Sequence, residues 1–445
     1  MKSRKKLIAY LSFYLFLFFF APPIIPKVSF FYIITAFSLF MLLHRYRQEA
    51  LQIIKATKMN NFIKIFIVVI VLAFVGACIN FTTDNIHSVT DIIMTSARLF
   101  LSCPMGLICI LYFLCVCKRH NITKHEAIMA AIYAGIIESV FALLALISPE
   151  IKNILLNIMR NNIDNETIAR SYLAEFRLFG FAKDLFDHFG YGMGILATLP
   201  LYVAINRRKV KYLLLSIPMI AATIINARTG IIIIGVIVIA LLFGYIFKII
   251  RNFNISLQAK AKQFATLFGS VAVTLSAIIL AVNIVYDLNP RMRANTIADF
   301  SSVFTAFISG GESANGGVGE VLFSESFWQL PETPTGLIVG QGHSLYGSVG
   351  YSHSDVGYIN DIWFFGLIGC LIIYSLLSYY AIRVTNPQNT EERMLMIGVL
   401  LSFFIFQVKG TALWSANLGA LVTLFTIFLF SYYNNNKQNT RKRLS

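Results

Sequence analysis

Apolar residues run along this chain in long unbroken stretches, without the three-and-four spacing that marks one buried face of a soluble helix. Stretches able to cross about 30 Å of hydrocarbon, at about 1.5 Å per helical residue, fall at 7–25, 28–43, 65–81, 92–117, 128–148, 189–206, 212–225, 231–247, 264–285, 358–380, 394–408 and 416–432. The pattern predicts an all-α polytopic membrane protein with about 12 transmembrane helices in one integral membrane domain, 1–445. The first stretch follows Lys2, Arg4, Lys5 and Lys6 as a signal peptide would. Only Ala21-Pro22-Pro23 stands where a cleavage site is needed, so it reads as an uncleaved anchor.

Composition excludes the alternative of a large soluble core: 57% of the 445 residues are hydrophobic and 13% charged. The formal charge of +16 therefore concerns sidedness, and nucleic acid is not an expected partner. With the N-terminus in the cytoplasm, 26 of the 37 Lys and Arg residues fall on that side, 10 on the outer side, and Arg98 within a span. Of the 21 acids, 4 fall inside and 15 outside, with Glu138 and Asp361 in spans. This bias predicts both termini cytoplasmic and an acidic outer face. Two outer segments exceed simple connectors: 149–188, and 286–357 as a large loop subdomain between the ninth and tenth spans. Cytoplasmic connections are short and hold no P-loop or dinucleotide fingerprint, which places the working side outside. All six cysteines lie in apolar spans, so disulfides do not staple the outer loops. No internal repeat is visible, which counts against transporters built from paired halves.

The cations on the acidic outer face are the candidates for chemistry. Arg228 sits in Asn226-Ala227-Arg228-Thr229-Gly230 between two apolar helices, where a guanidinium near helix-terminal N–H groups suits a phosphate; a snorkelling headgroup contact is the other reading. Arg177 precedes the sixth span in Arg177-Leu178-Phe179-Gly180. Arg291 and Arg293 either clamp a diphosphate or pair with Asp287 and Asp299 as loop cations. Lys409 ends the eleventh span as a ligand or an anchor. The run from Gly340 to Tyr358 holds His343, His353 and Asp355. His353 and Asp355 supply a general base, or else form a hydrogen-bonded loop end capping the following helix. No second cluster of His, Cys or Asp completes a metal site, so no metal or other cofactor is expected. Arg98 and Glu138, in neighbouring spans, can neutralise each other.

Taken in order, Arg177-x-x-Gly180, Ala227-Arg228-Thr229-Gly230, the long loop ending Ser354-Asp355-Val356-Gly357-Tyr358, Gly366-Leu367-Ile368-Gly369 and Lys409-Gly410 resemble the Wzy-type polymerases of bacterial O-antigen, in the superfamily shared with the O-antigen ligases. The likeness covers the chain from Arg177 onward; the first five spans match in hydropathy alone. The resemblance implies a GT-C-like glycosyltransferase of the Gram-negative inner membrane, with its site facing the periplasm. The donor would be a glycan on undecaprenyl diphosphate, moved en bloc onto a lipid-linked repeat unit without nucleotide sugar or metal. A chain-length regulator and a flippase of the same pathway would be partners. The ligases carry Asn and a later Glu after their loop histidine, whereas His343 and His353 are followed by Ser, which leans towards polymerase. The alternatives are transfer to lipid A-core by an O-antigen ligase, and a lipid-linked oligosaccharide flippase.

Overall fold

A computed structural model describes residues 2–22, 28–80, 89–160, 180–182, 186–226, 229–251, 256–288, 325–342, 354, 356–383, 389–410, 412 and 417–444. Over these residues the protein is a helical bundle. Its helices are α1 (Lys2–Phe20), α2 (Phe30–His44), α3 (Arg47–Thr57), α4 (Met59–Asn80), α5 (Val89–Arg119), α6 (Lys124–Ile147) and α7 (Pro149–Arg160). There follow α8 (Phe186–Arg207), α9 (Ser216–Asn226), α10 (Thr229–Arg251), α11 (Leu257–Leu288), α12 (Pro334–Val339), α13 (Gly357–Arg383), α14 (Thr390–Phe406) and α15 (Leu418–Leu444). The described part of each apolar stretch falls largely on one of these helices, with 212–215 in the 3-10 turn Val210–Leu215 that leads into α9. Six of them, α4, α6, α8, α10, α13 and α15, are long and apolar enough to cross a membrane, and α2 and the α9 region are shorter apolar helices. The protein is thus a multi-pass α-helical membrane protein.

The six differ in what surrounds them. The apolar windows of α8 and α15 are 89% buried within the protein, against 39% for α4 and α10, which turn side chains such as Val68, Val71, Ile239 and Phe243 outward. Since lipid is as apolar as leucine, association of such helices rests on close packing and on polar contacts. Glycines supply the first. Gly190 and Gly194, one turn apart on α8, meet the start of α10 at Gly230, while Gly192 and Gly419 bring α8 against α15 around Leu418 and Tyr191. Gly244 and Gly398 do the same between α10 and α14. Buried hydroxyls supply the second: Tyr191 bonds Thr423 at 2.9 Å and Tyr14 bonds Ser38 at 2.7 Å.

One end of the bundle is stitched by ions. Arg4 meets Glu126 (2.6 Å), Arg119 meets Glu49 (3.6 Å), Lys124 meets Glu392 (2.5 Å) and Lys248 meets Glu391 (2.5 Å). These pairs join the starts of α1, α6 and α14, the ends of α5 and α10, and α3. Those are the segments that the charge pattern assigns to one side of the membrane, and we call this the basic end.

The structure breaks α13, where the sequence predicts one continuous span. Gly366 takes φ 66° and ψ 175°, a conformation open essentially to glycine alone, and divides the helix near its middle. The carbonyls released by the break are taken by the segment after α12: Gln341 N–H donates to Trp363 O (2.6 Å) and Gly342 N–H to Phe364 O (3.2 Å). Any β-carbon at Gly340 or Gly366 would overlap the other's backbone, and Gly76 of α4 packs on the same point. Part of the long 286–357 segment is therefore built into the bundle, and it satisfies backbone that hydrocarbon could not.

Candidate functional site

Opposite the basic end, four helix termini converge. Asp187 lies in the first turn of α8; Asn226 ends α9; Thr229 begins α10; Lys409 follows α14. The contact of Gly190 and Gly194 with Gly230 draws the α10 terminus close enough for Thr229 Oγ1 to donate to Asp187 Oδ1 at 3.1 Å. The other carboxylate oxygen lies 3.9 Å from Lys409 Nζ, and both side chains remain about a quarter exposed. The His188 ring sits 5.5 Å from that of Phe406, which stacks on Tyr191 at 4.6 Å.

Asn226 is almost fully buried, and both atoms of its amide lack a hydrogen-bond partner among the described residues. Buried amides are ordinarily satisfied, because an unmade bond costs about 1–3 kcal/mol. This one directly precedes Ala227-Arg228.

Beside this junction α13 and α14 form a second polar knot. Asp361, 1% exposed, accepts from Tyr374 Oη (2.6 Å) and Gln407 Nε2 (2.7 Å). Gln407 Oε1 accepts the Ala412 N–H at 3.3 Å, and Tyr358 donates to Phe404 O at 2.7 Å. Ser354 donates to Phe327 O (2.6 Å) and accepts the Val356 N–H (3.2 Å), so the end of the long loop is turned and fastened as α13 begins. A small apolar cluster of Val356, Ile359 and Trp363, with Phe327 against it, lies under that turn.

Of the site residues expected from the sequence, Lys409 is placed, and it is tethered: Asp187 partners it from a helix more than two hundred residues away in the chain. Arg177, Arg228, Arg291, Arg293, His343, His353 and Asp355 lie outside the described residues. The residues flanking Arg228, namely Asn226 and Thr229, belong to the junction with Asp187 and Lys409. Sequence reasoning missed Asp187, His188 and Asn226; the signal was there in the Gly190-x-x-x-Gly194 spacing, which brings α8 against the α10 terminus. The expected Arg98–Glu138 neutralisation involves a side chain outside the described residues, while the Glu138 carboxylate itself is placed. Glu138, fully buried on α6, accepts the Phe181 and Ala182 N–H groups, each at 3.1 Å.

No protein-family model matches this chain, and no match is found among curated proteins or solved structures.

Proposed function

We propose that this protein is an O-antigen or related surface-polysaccharide polymerase: a GT-C-type membrane glycosyltransferase with about twelve crossings and both termini cytoplasmic. It transfers glycan from undecaprenyl diphosphate onto a lipid-linked repeat unit at the periplasmic face of the inner membrane. The observation that carries this reading is the junction of α8, α9, α10 and α14 at the end away from the basic one. There, Asp187, Thr229 and Lys409 meet, and Thr229 directly follows Ala227-Arg228 in sequence. Displacing a lipid diphosphate from an anomeric carbon requires cations where the leaving charge develops and a base on the acceptor hydroxyl. Arg228, Arg177, Lys409 and Arg291 or Arg293 would hold the diphosphate, His343 would contact the glycan, and His353 or Asp355 would take the proton. A diphosphate headgroup lies at the bilayer surface, which is where helix-terminal cations belong.

Arg228→Ala should leave the protein inserted and single-repeat glycolipid present while long chains vanish; a normal polymer ladder would refute the assignment. Arg228→Lys should also fail, because an ammonium cannot replace the bidentate fork. Purified protein given lipid-linked repeats in detergent should lengthen the glycan with no added nucleotide or metal, and adding lipid A-core as a competing acceptor separates polymerase from ligase. The glycine break in α13 favours a second reading, a lipid-linked oligosaccharide flippase, since discontinuous helices recur at transport sites. In that case the same incubation yields no longer glycan.

A further inference from the structure

The antiparallel pair α4 and α13 supplies a ruler for depth in the membrane. At the basic end Tyr380 Oη donates to Lys58 O at 2.7 Å, just before α4 begins, and the Tyr380 and Phe62 rings meet with centroids 5.2 Å apart. Further along the pair Gly369 packs on Val69, and Gly76 reaches the point where Gly340 and Gly366 touch. From Phe62 to Gly76, as from Tyr380 back to Gly366, a helix advances about 21 Å at about 1.5 Å per residue. Lys58 and Arg383 mark the basic-end boundary, and a hydrocarbon layer is about 30 Å thick, so the Gly340–Gly366 contact lies about 9 Å inside the far boundary. Tilt of the pair would shorten that advance and place the contact deeper. The chain that leads to Gly340 has therefore left the level of the loops.

That segment is built for such a depth. Thr333–Gly342 contains no charged residue. Leu337 N–H donates to Thr333 O and Gly340 N–H to Gly336 O, both at 2.9 Å, and Gly336 N–H bonds Thr333 Oγ1 at 3.1 Å. Pro334 opens α12 and has no N–H to satisfy. Gln341 and Gly342 take the carbonyls freed at the break in α13, so the irregular backbone turns its polar groups onto protein. Its side chains turn the other way. Ile338 is 46% exposed, and the two helices that α12 contacts expose Val75 and Ile79, and Leu367 and Ile368, beside the same point. On the approach, Trp328, Leu330 and Glu332 are exposed, and Gln329 O is fastened by the Trp363 indole N–H at 2.8 Å. An amphipathic indole and a carboxylate suit the headgroup level.

We propose that residues 333–342 are a re-entrant limb of the long 286–357 segment, seated in the leaflet away from the basic end, with Ile338 against lipid acyl chains and Trp328 among the headgroups. The occupant of this surface is lipid because the patch is uncharged and continuous with the lipid-facing sides of α4 and α13. The limb does not depend on the chemistry proposed above and holds for any activity at that end of the bundle.

The test places spin labels on full-length protein whose native cysteines are replaced by alanine, reconstituted in vesicles of phosphatidylcholine and phosphatidylglycerol. Labels go on Ile338→Cys, on Glu332→Cys, and on Leu371→Cys as a lipid-facing reference in α13. Collision with dissolved oxygen, which concentrates in hydrocarbon, is compared with collision with a water-soluble nickel chelate. The label at 338 should match the one at 371, with oxygen exceeding nickel, and the label at 332 should be the one that nickel reaches most. A label at 338 open to nickel puts the limb in water. One shielded from both reagents puts protein, such as a second copy of the chain, on the patch. Either result overturns the proposal. Should the cysteine-free protein fail to fold, Ile338→Trp in the otherwise native chain decides. Lipids brominated at mid-chain should then remove most of the fluorescence that the new indole adds, and its full retention would overturn the proposal.

Discussion

At the basic end, the acids Glu49, Glu126, Glu391 and Glu392 each meet a cation from another helix, whereas the acids buried in the bundle are held differently: Glu138 by two backbone N–H groups, Asp361 by a phenol and an amide. Where water and headgroups reach, a charged pair fastens two helix ends and leaves the charge balanced. In the apolar interior a lone carboxylate is costly, and its placement against dipoles orders a particular stretch of chain. Ions at one end hold the bundle together, and acids in the interior hold segments that lead to the opposite end. The Asp187–Lys409 contact at 3.9 Å belongs to neither kind. It is long and partly exposed, as suits a cation that exchanges one anion for another.

The largest effect expected on stability tests the first half of that contrast. Glu392, 1% exposed, receives Lys124, Asn389 and Asn434 together. Glu392→Ala removes the carboxylate on which an ammonium and two amides converge, and should cost about 3–5 kcal/mol in reversible unfolding in mixed micelles. Replacing Lys124 and Glu392 together by Met should cost far less, since the pair's removal leaves no charge behind. If the double replacement is as damaging as the single one, the end is held by shape and not by charge.

Gly366→Ala comes next. The residue's φ of 66° with ψ 175° and its contact with the Gly340 backbone leave no room for a methyl group. Strain alone predicts about 1–3 kcal/mol, with the added clash towards the upper figure. Gly235, with open space around it, is the matched control and should tolerate alanine. Equal tolerance at both positions would remove the break in α13 from the account.

Much of the fold is legible along the chain because hydropathy and charge act locally: a stretch is apolar or not, and cations cluster beside it or do not. The pairing of Lys248 with Glu391, or of Arg4 with Glu126, extends the same rule, since like-sided segments meet at the same end. The break at Gly366 is less legible. Gly366 and Gly369 look alike in sequence, and only the approach of Gly340 from a distant segment decides which of them bends the helix. The described partners of Glu138 are hard to read for the same reason: backbone N–H groups 43 and 44 residues on carry no residue identity that sequence could reveal. The candidate site is read least completely: of its expected cations only Lys409 lies among the described residues, and its neighbour Asp187 is set by helix packing.

Asn226→Leu separates function from stability at the junction. Replacing a buried amide that has no partner among the described residues by an apolar side chain of similar size should be neutral or raise stability by about 1 kcal/mol. Affinity for undecaprenyl diphosphate and polymer length should fall, since the amide is retained at a cost the fold does not require. A variant that is both more stable and fully active would show that Asn226 serves no ligand.

The smallest effect lies back at the basic end, and it sharpens the contrast by showing how little an exposed pair contributes. Arg4 is half exposed, and its partner Glu126 is independently fixed in a capping box, accepting from the Thr123 N–H (2.9 Å) and hydroxyl (2.7 Å) while the Thr123 hydroxyl takes the Glu126 N–H (3.3 Å). Arg4→Ala therefore leaves the cap of α6 standing. Its effect on the unfolding midpoint should be slight at low salt and absent at about 1 M salt, where the screening length falls to ~3 Å. Glu126→Ala removes ion pair and cap together, and should cost about 1 kcal/mol more, a difference that persists in salt because hydrogen bonds to backbone are not screened away. If the two variants behave alike at both salt concentrations, the cap contributes nothing beyond the ion pair.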